Sequence, residues 1–135
     1  MALVEWTDEF SVNIREIDAQ HKQLIAMIND LHEVMRTGGG KDALAKILDD
    51  LADYTTYHFA YEESLLVRHG YHDAADHAAE HEQLAAQVAE MQQHFHAGTF
   101  VMSVDVMQFL KQLLAFHMQG TDRQYTAFLN GKGVV

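Results

Sequence analysis

Two pairs of residues suited to holding a metal recur at four-residue spacing: His58 with Glu62, and His77 with His81. On an α-helix that step turns only about 40°, so each pair projects from one face. Glu63 would point about 140° away from His58, which makes Glu62 the inward carboxylate. His21 and His117 each stand singly on an apolar stripe. One inward imidazole is ordinarily a hydrogen-bonded core residue. Five of them with a carboxylate at one level are different, because burying so many polar groups unpaired costs several kcal/mol. A bound metal removes that cost.

This donor set exceeds the four ligands of a structural zinc site, and it is the wrong chemistry for the all-oxygen cages of calcium or magnesium. Imidazole with carboxylate suits iron, zinc, copper or nickel. Two ions would use this many donors, and they would call for a second, bridging carboxylate. Asp122, five residues after His117, is the candidate. Five residues turn about 140° in a regular helix, so sharing one centre requires a π-type turn. Gly120-Thr121 lies between the two and permits one. His32 and His69 fall on the right faces but roughly 16 Å further along their helices. His72, His94 and His96 lie in or near connections and read as surface residues.

Four helices must carry these donors. After an arm over residues 1–17, the apolar period predicts helices over about 18–37, 42–69, 73–97 and 103–129. The first carries His21, Leu24, Ile25, Ile28, Leu31 and Met35 on one stripe, with Asp18 as its N-cap and Gly38-Gly39-Gly40 as its end. The second turns Leu44, Ile47, Leu48, Leu51, Tyr54, His58, Tyr61, Glu62 and Leu65 inward, and Gly70 is placed to close it in a left-handed conformation. The third, starting near Asp73 and stopped by Gly98, aligns His77, His81, Leu84, Ala85, Val88 and Met91. The fourth, capped by Ser103, aligns Val106, Phe109, Leu110, Leu113, Leu114 and His117. Short connections make this an all-α, up-down-up-down antiparallel four-helix bundle. In that order all the donors fall towards one end.

The 135 residues suit one domain spanning 1–135. The chain has no Cys, which rules out thiolate metal sites, thiol nucleophiles and disulfides. A net charge of −11 argues against nucleic acid and acidic membranes as partners. The sequence shows neither a secretory leader nor a continuous apolar run long enough to span a bilayer, so a cytoplasmic monomer without membrane insertion is expected.

With these residues in view, the sequence resembles the hemerythrins, and in particular the single-domain bacterial ones. The resemblance runs from Trp6 through Ile17-Asp-Ala-Gln-His-Lys22 to Phe128-Leu129. It rests on His21, His58-Phe-Ala-Tyr-Glu62-Glu, His77-Ala-Ala-Glu-His81 and His117-Met-Gln-Gly-Thr-Asp122. It implies a non-haem di-iron centre. His77, His81 and His117 would hold one iron and His21 and His58 the other, with Glu62, Asp122 and an oxo or hydroxo group as bridges. It further implies reversible O2 binding at the open position of the two-histidine iron. Two positions depart from the family: Leu113 stands where a Trp is frequent, and His72 follows Tyr71 where many relatives have Pro.

The function expected from this resemblance is oxygen storage, transport or delivery, with O2 and an oxygen-consuming acceptor enzyme as partners and no catalytic residues. Leu24, Ile28, Phe59, Leu113, Leu114 and Met118 are placed by helical position to line an O2 pocket, and each would serve equally as ordinary core packing. An alternative is an oxygen or iron sensor, or an iron-handling module, using the same site. A di-iron enzyme of the ferritin-like kind is disfavoured, since that class relies on Glu-x-x-His pairs and four carboxylates. This chain contains no Glu-x-x-His.

Overall fold

Helix α1 (Arg15–Arg36) opens three residues before the expected start, with Ile14 and not Asp18 at its N-cap. Asp18 lies inside the first turn and turns its carboxylate back to the arm. Ser11 Oγ donates to its Oδ2 at 2.6 Å and the Val12 backbone N–H to its Oδ1 at 2.8 Å. The acid therefore satisfies donors of the entering chain while it faces the positive end of the helix. The arm contains a short 3-10 turn at Asp8–Phe10 and is clamped at both ends. Val4 exchanges two hydrogen bonds with the Asn29 side chain, and Asn13 exchanges two with Asn130.

This computed structural model describes residues 4–38, 40–97, 104–112, 117–118 and 120–135, with backbone alone at 104–107. Helix α2 (Lys41–Arg68) and helix α3 (Ala74–His96) follow, within a residue of their expected limits. Between them Gly70 takes φ 73°, its N–H reaching Val67 O and that of Tyr71 reaching Leu66 O. This is a Schellman end, in which the residue past the helix must be left-handed. Ser103, Leu113, Leu114, Gly98 and Gly39 lie outside the described residues.

The fourth segment is not the single helix expected over 103–129. Helix α4 (Val104–Gln112) is followed by π-helical backbone at His117, Met118, Gly120 and Thr121. A 3-10 turn at Asp122–Tyr125 and helix α5 (Thr126–Gly131) complete the chain. The wider π backbone ahead of Asp122 and the tighter 3-10 turn that starts at it change the rotation per residue where the two polar residues must share a face.

Described residues contain no strand, and no helix is long and apolar enough to cross a membrane. The four helical segments form an antiparallel bundle whose core has two apolar halves. One gathers Leu24, Ile28, Leu31, Leu51, Leu110 and Met118; the other gathers Ile14, Ile17, Leu65, Leu66, Tyr125 and Leu129. At roughly 1.5–3 kcal/mol per buried large apolar side chain, each half contributes substantially to stability. Between them, at His21 on α1, His58 and Glu62 on α2, His77 and His81 on α3, and His117 and Asp122 on the fourth segment, lies a polar layer.

Gly70 offers a clean test of the α2–α3 junction, because a Cβ added there meets nothing within 4 Å. Gly70→Ala should destabilise the protein by about 1–2 kcal/mol through its left-handed φ alone. Gly70→Asn should lose less, since Asn tolerates that region. Urea unfolding of the three proteins gives the order.

Candidate metal centre

Seven polar side chains fill the layer between the apolar halves. His21, His58, Glu62, His77, His81, His117 and Asp122 are all at most 4% exposed. They fall into two donor groups that share both carboxylates: His77, His81 and His117 in one, His21 and His58 in the other. All donors within a group lie within 4.8 Å of one another.

The carboxylates divide their oxygens between the groups. Glu62 Oε1 stands 2.6 Å from His77 Nε2 and 2.9 Å from His81 Nε2, whereas Glu62 Oε2 faces His58 Nε2 at 3.5 Å and His21 Nε2 at 3.8 Å. Asp122 Oδ1 lies 3.0 Å from Nε2 of both His77 and His117, and Oδ2 lies 3.1 Å from His21 Nε2. Within each group imidazoles also meet edge to edge, His81 with His117 at 2.9 Å and His21 with His58 at 3.2 Å between Nε2 atoms.

These separations fit cations. Donors about 2.1 Å from one ion stand about 3.0 Å apart at right angles and about 4.2 Å apart when opposite. In the three-histidine group most separations match the first figure, and His117 Nε2 to Glu62 Oε1, at 4.0 Å, matches the second. Neither oxygen of Asp122 has an aligned hydrogen-bond donor despite complete burial. A buried carboxylate left in that condition is costly unless a cation meets it.

The outer nitrogens are held from other helices. His58 Nδ1–H donates to Gln20 Oε1 at 2.7 Å, His81 Nδ1–H to Glu63 Oε2 at 3.2 Å, and His117 Nδ1–H to Glu80 Oε1 at 3.1 Å. Thr121 Oγ1 steadies Glu80, Tyr125 OH donates to Glu62 Oε2 at 2.8 Å, and Phe59 stacks flat on His81 with centroids 3.8 Å apart. These acceptors were not expected from the sequence. Gln20, Glu63 and Glu80 each adjoin a donor in the chain and point off its face, a signal that helical periodicity discards. Of the other histidines, His32 and His69 are half-buried away from the layer, and His72, His94 and His96 are exposed.

A family model for the hemerythrin HHE cation binding domain matches residues 12–129. The chain belongs to the hemerythrin family. The bacteriohemerythrin of Methylococcus capsulatus is 39% identical over 126 residues, covering 93% of this chain and 95% of that protein. That of Stenotrophomonas maltophilia is 38% identical over 125 residues, covering 93% and 80%. A crystal structure of wild-type hemerythrin overlays with a TM-score of 0.88 at 38% identity, covering 93% of this chain and 97% of that one.

Proton affinities in this hemerythrin site follow from burial set against charge. Burial works against imidazolium at His77 and His117, but the charges and contacts of Asp122 and Glu62 prevail. They hold His77 up at about 10 and His117 at about 9. Burial and the neighbouring Asp122 push Glu62 upward, yet His77 and His81 win and keep it at about 2. Burial is likewise outweighed at Asp122, where His117, His21 and His77 hold the carboxyl well below its usual range. Burial dominates at His58, driven down to about 4.

A histidine whose pKa rises on folding adds stability that is full below its unfolded value, 6.5, and is lost as pH climbs through the folded one. Chelator-treated protein should therefore lose stability between about pH 6.5 and about pH 10. A bound metal keeps the same nitrogens unprotonated throughout, so metal-loaded protein should lack this loss. Urea midpoints across that range, with and without metal, make the comparison.

Proposed function

We propose that this chain holds two iron ions and binds O2 reversibly, serving oxygen storage, transport or delivery. The observation that carries this reading is the division of Glu62 and Asp122, one oxygen of each carboxylate turned to each histidine group. His77, His81 and His117 would hold one ion and His21 and His58 the other, with both carboxylates bridging. The name bacteriohemerythrin carried by its relatives, and the donor set, support iron over other ions that imidazole accepts. Bound there, iron supplies reversible electron exchange with O2.

The chain's own residues supply the rest. The group with two histidines offers fewer protein donors, so O2 is expected to approach on that side. Leu24, Ile28 and Met118 are fully or almost fully buried in the apolar half that also holds Leu51 and Leu110, and they keep water and protons from it. Phe59 lies against His81 of the other group and buttresses that ring. Two carboxylates, not four, leave the centre less compensated for highly charged iron, which favours binding O2 over splitting it. We therefore read the chain as a binding protein and not an enzyme.

Anaerobic reconstitution with Fe2+ tests this. Elemental analysis should find iron near two per chain, and air should raise a visible charge-transfer band that fades under argon and returns. One zinc per chain without iron, or a band that never reverses, would overturn the proposal. Glu62→Ala should lower metal content and thermal stability together, because metal binding and folding are linked. Unchanged loading in that variant would show that Glu62 is not a ligand.

A further inference from the structure

The contacts outside the two donor groups are unequal in charge. In the three-histidine group, the Nδ1–H of His81 and of His117 each meets a carboxylate, Glu63 and Glu80. In the two-histidine group, His58 meets the neutral amide of Gln20, and His21 Nδ1 is buried with no hydrogen-bond partner. Tyr125 adds to the imbalance. Its hydroxyl donates to Glu62 Oε2, the oxygen turned to the two-histidine group.

A carboxylate accepting from Nδ1–H pushes electron density through the ring and makes Nε2 a stronger donor. Such charge-assisted bonds are roughly twice as strong as neutral ones. A neutral amide does this weakly, and a phenol O–H donating to a carboxylate oxygen draws density away. The outer contacts of His58, His81 and His117, with that of Tyr125, bias the centre in one direction.

We propose that Glu63 and Glu80 are positioning residues that make the three-histidine group the stronger electron donor. Gln20 and Tyr125 keep the two-histidine group the weaker. Ions in the two groups consequently differ in affinity and in reduction potential by more than their histidine count alone dictates. The more reducible ion is the one on the side where O2 is expected. This rests on the two-ion reading above.

Redox-inert loading supplies a test independent of oxygen binding. Metal-free protein titrated with Co2+, followed by visible absorption, should take up two ions per chain in two steps. His58→Ala should remove the weaker step and so assign it. Glu63→Gln and Glu80→Gln, which keep an acceptor and remove its charge, should each weaken the tighter step by about 10- to 100-fold and change the weaker one little.

The opposite changes should strengthen the weaker step. These are Tyr125→Phe and the double variant Glu16→Gln, Gln20→Glu; the second includes Glu16 because it lies 3.2 Å from the Gln20 amide and would repel a new carboxylate. In iron-loaded protein, mediated redox titration should show the lower potential rising in Glu63→Gln and Glu80→Gln, and the higher one falling in the Gln20→Glu double variant. Equal shifts of both steps, no shift in either, or weaker binding in the Gln20→Glu double variant would overturn the proposal. A single Co2+ per chain in the unaltered protein would refute the two-ion reading itself.

Discussion

Glu62 and Asp122 are buried completely, and the cost of holding two carboxylates without water governs the architecture around them. Each needs positive charge on both of its oxygens, and a single helix face cannot deliver it. Five imidazoles from four helical segments converge on them, with His77 and His117 the rings held protonated by the two acids, and the apolar halves above and below seal the layer. The long amphipathic helices, the clamped arm and the broken fourth segment all serve to bring those seven side chains to one level.

The helical spacings carried much of this information. His58 with Glu62 and His77 with His81 are local patterns, and periodicity places them on one face without reference to the rest of the fold. The same logic exposed the difficulty at His117 and Asp122, whose five-residue step is incompatible with a regular helix. The π-helical stretch followed by a 3-10 turn is how the backbone meets it.

What escaped the sequence is non-local. Asp18 has the composition of an N-cap, but Ser11 and Val12 return to it from the arm, and the helix starts earlier. Glu63 and Glu80 look like solvated acids when each helix is viewed alone. They become supports only when the neighbouring helix presents an imidazole Nδ1 at the right height.

These supports advance from helix to helix. Gln20 on α1 holds His58 on α2, Glu63 on α2 holds His81 on α3, and Glu80 on α3 holds His117 on the fourth segment. Both donor groups also require Asp122, near the end of the chain. No hairpin therefore contains a complete set of donors, and a chain emerging from the ribosome lacks both groups until its last helix has left. Metal ligation at this centre would therefore be complete only once all four segments have packed. Interactions formed that late slow unfolding while leaving the folding rate nearly untouched. In this bundle the metal centre would act chiefly as a kinetic lock on a fold that must first assemble without it.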